Sequence, residues 1–277
     1  MSFFNINGKN CEALTPYFPP TTRSYRYGDG FFESMKWSNG RLLHFDHHMA
    51  RIHKSAMLLK MNLTEEVKDG IILQWVESVA QQHQIANARV RCTFLRESEG
   101  FYTPENSVTT IISELLPIEN SNYDWNEKGL TLGAYKEMSK NGNYTSMLKT
   151  TSSLIYVMAG IYAKENNLDE CIIFNDHGRI AECISSNIFI VAGEFISTPP
   201  LSEYCIDGVM RKVVIHLAEA YGYTVLEQPL SEVSLTSADE IFITNASRGI
   251  RWIGEYKGKK YKNIVSGVLA DKLNPHL

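Results

Sequence analysis

The chain has 277 residues, a formal net charge of −4, 44% hydrophobic residues and 21% charged residues. This is an ordinary globular composition, and it points to neither nucleic acid nor an anionic membrane surface as a partner. No apolar run reaches the length of a bilayer span, and the N-terminal "MSFFNINGKN" lacks the basic start and apolar core of a signal peptide, so a cytoplasmic protein is expected. The five cysteines, Cys11, Cys92, Cys171, Cys183 and Cys205, are scattered and contain no C-x-x-C. Neither a zinc site nor a disulfide framework is expected, and no metal is assigned.

"GRLLHF" (40–45) reads as a short strand. Asp46 can then cap a helix to about Leu59, with Met49, Ile52, Ala56 and Leu59 on one face. A second helix is predicted from about Val67 to Gln82, followed by alternating strands at "ARVRCTFL" (88–95) and "SVTTIIS" (107–113). The polar, turn-rich stretch 116–129 reads as a linker. After it come a strand at "LTLGAYKE" and a helix from about Ser153 to Glu165, whose apolar face would carry Leu154, Val157, Met158, Ile161 and Tyr162. Short strands and turns follow at "ECIIF", "NDHG", "RIAEC", "NIFIV" and "FIST". Asp207 can cap a helix from about Gly208 to Tyr221, stopped by Gly222, and "ADEIFITN" (238–245) is another strand. Hairpins mixed with helices predict an α+β chain of two domains, 1–118 and 126–277, joined by a linker at 119–125.

Four features could carry chemistry. Lys149, in "MLKTTSS", follows two apolar residues and precedes four hydroxyl residues. A lysine nucleophile must spend time as a free amine, which an apolar or cation-rich setting favours; such an amine condenses with aldehydes. Read alone, it is more often a lysine whose stem lies along a strand end. Glu182 falls among strand-like apolar residues, where a carboxylate could hold a pyridinium nitrogen protonated, although a solvent-facing strand position is as good a reading. Asn187 could satisfy polar groups nearby or be an ordinary turn asparagine. "IDGVMRK" (206–212) places a glycine at a helix start, where free N–H groups suit a phosphate. Arg51 beside the apolar face at Met49 and Ile52 could offer bidentate contact to phosphate, or simply lie on the helix surface. The neighbouring "DHH" (46–48) reads as surface histidine rather than a metal site, because adjacent helical residues point apart.

An aldehyde-reactive amine, a partner for a ring nitrogen and two anion sites together suit pyridoxal 5′-phosphate. The sequence also resembles the class IV aminotransferases, the fold-type IV pyridoxal-phosphate enzymes. These include branched-chain and D-amino-acid aminotransferases and 4-amino-4-deoxychorismate lyases. The matching pieces run in the family's order: 27–56, "RVRCTFLRESEGFYTP", "LKTTSS", "GRIAECISSNIFIV", "STPPLSEYCIDGVMRKVV" and "ADEIFITNASRGI". The resemblance implies a smaller N-terminal α/β domain and a larger C-terminal domain with a barrel-like β core, with the cofactor between them. It also implies a homodimer in which each active site receives a loop from the partner subunit.

By position, the resemblance makes Lys149 the Schiff-base lysine and Glu182 the partner of the ring nitrogen. Arg51 and the backbone at Val209 and Met210 would hold the phosphate. Asn245, Ala246 and Ser247 would form a second phosphate-binding turn, with Asn-Ala where branched-chain enzymes have Gly-Thr. Phe32 and Arg96 would face the substrate, Arg96 near its carboxylate. Leu154 stands where many branched-chain enzymes have tyrosine. The implied activity is amino transfer between an amino acid and a 2-oxo acid; the alternative is pyruvate elimination from aminodeoxychorismate, giving 4-aminobenzoate.

Overall fold

The computed structural model describes residues 1–11 and 21–274. The chain forms two compact units, Met1–Ser121 with Leu148–Ser152, and Asn122–Met147 with Ser153–Leu277. The expected 126–277 domain therefore lacks the five residues around Lys149, for a backbone reason given below.

The first unit contains β1 (Phe3–Ile6), β2 (Lys9–Cys11), α1 (Arg23–Tyr27), β3 (Gly30–Ser38), β4 (Arg41–Leu42), α2 (Phe45–Leu58), α3 (Glu65–Lys68), α4 (Ile71–Gln82), β5 (Asn87–Arg96) and β6 (Thr109–Pro117). Its strands form one antiparallel sheet in the order β2-β1-β6-β5-β3-β4. Alternation along β3 sends Phe31, Glu33, Met35 and Trp37 to the face that packs on the helices. Ile52 and Ala56 of α2 join Ile72, Val76 and Val79 of α4 in that core.

Three local expectations change. His44, not Asp46, precedes α2, in the left-handed region at φ 56° and with no side-chain cap; Asp46 lies in the first turn, where its charge complements the helix dipole. The helix expected over 67–82 is two, because Gly70 adopts φ 88° between them. His48 is buried rather than exposed.

The burial of His48 has a partner. Its Nδ1 lies 2.7 Å from Glu33 Oε2, while Arg51 donates to both Glu33 oxygens at 2.7 and 2.6 Å. Burial alone would raise the Glu33 pKa, but Arg51 and His48 outweigh it and bring it down from 4.5 to about 2.

The second unit contains β7 (Leu130–Lys140), α5 (Leu154–Glu165), β8 (Glu170–Asn175), β9 (Ile180–Cys183), β10 (Asn187–Ala192), β11 (Phe195–Thr198), α6 (Val209–Ala220), β12 (Thr224–Glu227), α7 (Glu232–Ser237), β13 (Glu240–Asn245), β14 (Gly249–Tyr256), β15 (Lys259–Lys260) and α8 (Ile264–Leu273). Its mixed sheet runs β12-β11-β10-β13-β14-β7-β8-β9, with β15 on β14. The end strand β9 returns beside β10, where the Cys183 N–H meets the Ser186 carbonyl at 2.8 Å, so the sheet curls into a barrel-like core. Ile172, Ile180, Ile188, Ile241 and Ile253 fill it. The α+β reading with a barrel-like second half is the observed fold.

The α5 face is only partly the one expected: Met158 and Tyr162 pack against the core, and the other three residues do not. Ala159 and Ala163 are its buried residues, and they allow close approach to Tyr135 and Ile173. Leu154, Val157 and Ile161 are 63%, 54% and 46% exposed. No described helix is long and apolar enough to cross a membrane.

Glu33→Gln should lower stability by roughly 3–5 kcal/mol at neutral pH, because Arg51 would keep a buried charge without its counter-ion. In the unaltered protein the Glu33 contribution is fully present above its ordinary pKa of 4.5 and is lost as pH falls from there through about 2. Urea unfolding at neutral and acid pH measures both; an unchanged midpoint in the variant would remove this ion pair as a determinant of the fold.

Candidate active site

The segment carrying Lys149 is an added edge on the first unit's sheet. The Phe32 N–H donates to the Lys149 carbonyl at 2.8 Å, and the Thr151 N–H donates to the Gly30 carbonyl at 3.0 Å. Phe31 and Thr150 form an antiparallel bridge between these bonds. The Thr151 hydroxyl donates to the Gly28 and Gly30 carbonyls at 2.6 and 3.1 Å. The Thr151 hydroxyl thus fastens the segment to the start of β3, and Ser153 precedes α5 with no side-chain cap bond.

This edge puts the lysine ammonium 4.6 Å from the centre of the Phe32 ring. The Arg91 guanidinium stacks on the same ring at 3.6 Å. Arg91 stands on β5 beside Arg89, and partial burial, then that neighbour, lowers its pKa from the ordinary value. The sequence reading assigned no role to Arg91.

Arg96, expected to meet a substrate carboxylate, is committed elsewhere. It donates to both Asp29 oxygens at 3.1 and 3.0 Å, to the Lys60 and Leu59 carbonyls at 2.9 and 2.6 Å, and to Ser107 Oγ at 3.0 Å. A guanidinium has five N–H donors, so this set leaves it a structural clasp. Arg51 is held by Glu33 as described above and is buried within the first unit, not on the helix surface.

In the second unit Glu182 is buried on β9. Its Oε1 accepts from Lys140 Nζ at 2.6 Å and from the Tyr156 hydroxyl at 2.7 Å. Its Oε2 accepts from the Ile206 N–H at 2.9 Å. A carboxylate offers about four acceptor positions, so one on Oε2 is left. Tyr156 stays a protonated donor, because burial and then the Glu182 charge push its pKa well up. Neither Lys140 nor Tyr156 was singled out in the sequence; their side chains meet Glu182 only through tertiary pairing.

Asn187 acts on the same loop. Its Nδ2 donates to the Ile206 carbonyl at 2.9 Å, so Ile206 is held through both its N–H and its C=O. A Cβ at Gly208 would lie 1.9 Å from Asn187 Oδ1, so any larger residue would displace the Asn187 side chain from this clamp. Gly208, rather than Asp207, therefore precedes α6, and it supplies no side-chain cap. Asp207 instead pairs with Lys212 at 2.9 Å. The N–H groups at Val209 and Met210 thus open a 12-residue helix without a side-chain cap, a setting that suits an anion.

The turn at Asn245–Ser247 differs from expectation. Asn245 Oδ1 accepts from the Ser247 and Arg248 N–H groups at 3.1 and 2.9 Å, and its Nδ2 donates to Ser186 Oγ at 3.1 Å. Asn245 shapes the turn, and what the turn can present to a ligand is the Ala246 N–H and the Ser247 hydroxyl. Among the described residues no group of three or more His, Cys, Asp or Glu side chains could hold a metal ion.

A Methanocaldococcus jannaschii protein assigned as a branched-chain-amino-acid aminotransferase is 28% identical over 272 residues, covering 97% of this chain and 92% of that one. An aminodeoxychorismate lyase of Vibrio harveyi is 25% identical over 237 residues, covering 84% and 85%. The crystal structure of a branched-chain aminotransferase from Thermoproteus uzoniensis shares the fold at TM-score 0.86 and 22% identity, over 98% of this chain and 92% of that one. The model of the amino-transferase class IV family matches residues 30–256, and the chain belongs to that family.

Proposed function

We propose that the chain is a pyridoxal-phosphate-dependent aminotransferase that moves an amino group between an amino acid and a 2-oxo acid. The observation that carries this reading is Glu182, a buried carboxylate held by three donors and left with one acceptor position on Oε2. That position suits a protonated ring nitrogen. The uncapped start of α6 at Val209 and Met210 suits the phosphate, with the Ala246 N–H and Ser247 hydroxyl as further donors. The residues present therefore fit the cofactor.

When bound, the cofactor supplies an electron sink for negative charge at the substrate's α-carbon. Lys149 Nζ would hold the group through its aldehyde and, as a free amine, would take the proton from the substrate's α-carbon and give it up again. Glu182 Oε2 would accept the hydrogen of the ring nitrogen. Phe32 forms an apolar, cation-tolerant surface beneath the lysine. Arg91, not Arg96, is assigned to the substrate carboxylate, because its guanidinium shares the Phe32 ring with Lys149. Pyruvate elimination is the second reading, favoured by the Vibrio harveyi lyase among the relatives. The exposed stripe Leu154, Val157 and Ile161 supports a homodimer, since an apolar helix face of this kind is normally covered.

Lys149→Ala should abolish the visible absorbance of bound cofactor and lower amino transfer by about 10²–10⁴-fold or more. A panel of L- and D-amino acids with 2-oxo acid acceptors measures it, and normal turnover by the variant would end the assignment. Pyruvate released from aminodeoxychorismate without an acceptor would favour the lyase. Arg91→Ala should raise KM for the amino acid by roughly 10–100-fold, the loss of one hydrogen bond to a charged group, with kcat much less affected; an unchanged KM would return the carboxylate to another donor. Val157→Lys should shift sedimentation from dimer to monomer, and a variant that remains dimeric would place the interface elsewhere.

A further inference from the structure

Lys140 has no part in the family-derived assignments, yet it is a buried charge with every donor placed. It ends β7 opposite Asn175 and is only 7% exposed. An ammonium has three protons, and all three are placed: on Glu182 Oε1 at 2.6 Å, on the Tyr156 hydroxyl oxygen at 2.9 Å and on the Ser146 carbonyl at 3.0 Å. Tyr156 in turn donates to the same Oε1 at 2.7 Å. Lysine, tyrosine and carboxylate close a three-membered ring of hydrogen bonds, all on one side of the carboxylate.

We propose that Lys140, with Tyr156, is a positioning residue that sets the ionisation and the aim of Glu182. The proposal rests on the reading of Glu182 as partner of the cofactor's ring nitrogen. A buried carboxylate without a counter-charge takes up a proton. A protonated Glu182 would offer its own hydrogen to the ring nitrogen and leave that nitrogen neutral. Lys140 removes that possibility by charge compensation. Saturating Oε1 also leaves the remaining acceptor position on Oε2, which the Ile206 N–H anchors from the other side. The carboxylate can then neither rotate nor donate; it can only accept an N–H. No group is consumed and no bond changes in this role, and the ring-nitrogen proton remains with the cofactor.

The test uses the full-length protein loaded with cofactor labelled with 15N in its ring, and reads the nitrogen chemical shift and the rate of cofactor release. The unaltered protein should show the protonated-ring shift. Lys140→Met should move it toward neutral pyridine and release cofactor about 10–100-fold faster, the usual effect of removing a partner that orients a ligating group. Lys140→Arg, which keeps the charge, should restore at least part of the shift. In a Glu182→Gln background, adding Lys140→Met should change the nitrogen shift no further, since its target is gone. A folded Lys140→Met protein with unchanged shift and release rate would overturn the inference. If that variant does not fold, Tyr156→Phe decides: faster release and a partial shift support the role, and no change in either overturns it. A wild-type protein that binds no cofactor, or holds it with a neutral ring, would instead remove the reading of Glu182 on which the inference stands.

Discussion

A carboxylate cannot be buried without donors, and much of the second unit's local order follows from meeting that requirement at Glu182. Lys140 at the end of β7, Tyr156 on α5 and Ile206 before α6 come from three separate stretches of chain, and all are fixed by one side chain. Asn187 then takes the carbonyl of the same Ile206, and a side chain at 208 would push Asn187 out of this clamp. The uncapped start of α6 is thus a downstream result of how the β9 carboxylate is satisfied. The free edge of the Glu182 carboxylate and the uncapped helix start are set by one connected group of hydrogen bonds.

The same device recurs at other buried acids in the chain. Glu33 is held by Arg51 and His48. Glu240 on β13 caps α8 through the N–H groups of Ile264, Val265 and Ser266. In each case the carboxylate joins elements distant in sequence.

The strands at 88–95, 130–137 and 238–245, the fold class and the glycine that opens α6 were legible because local pattern and motif order carry them. What was missed depends on pairing across the fold. Nothing in "KEMSKNG" distinguishes Lys140 from a surface lysine, and Arg91 looks like one of several charges alternating along a strand. The apolar residues of α5 suggested a core face, but its fully buried residues are two alanines, because a close helix-on-sheet contact favours small side chains. Arg96 occupies a family position, yet Asp29 and two carbonyls claim its donors, a competition visible only in three dimensions.

The five residues Leu148–Ser152 give the chain a particular dependence between its parts. They are flanked on both sides by the second unit but pair with β3 of the first. A fragment ending at Ser121 would keep the six-stranded sheet and lose this edge. The Phe32 N–H and the Gly30 carbonyl would then face outward unpaired, at the open margin of an apolar strand, where another chain can add. Lys149 is therefore carried on a strip of backbone that also seals a sheet against aggregation. Loss of the strip would remove Lys149 and the seal at once, which ties the integrity of the first unit to the residue proposed above to carry the chemistry.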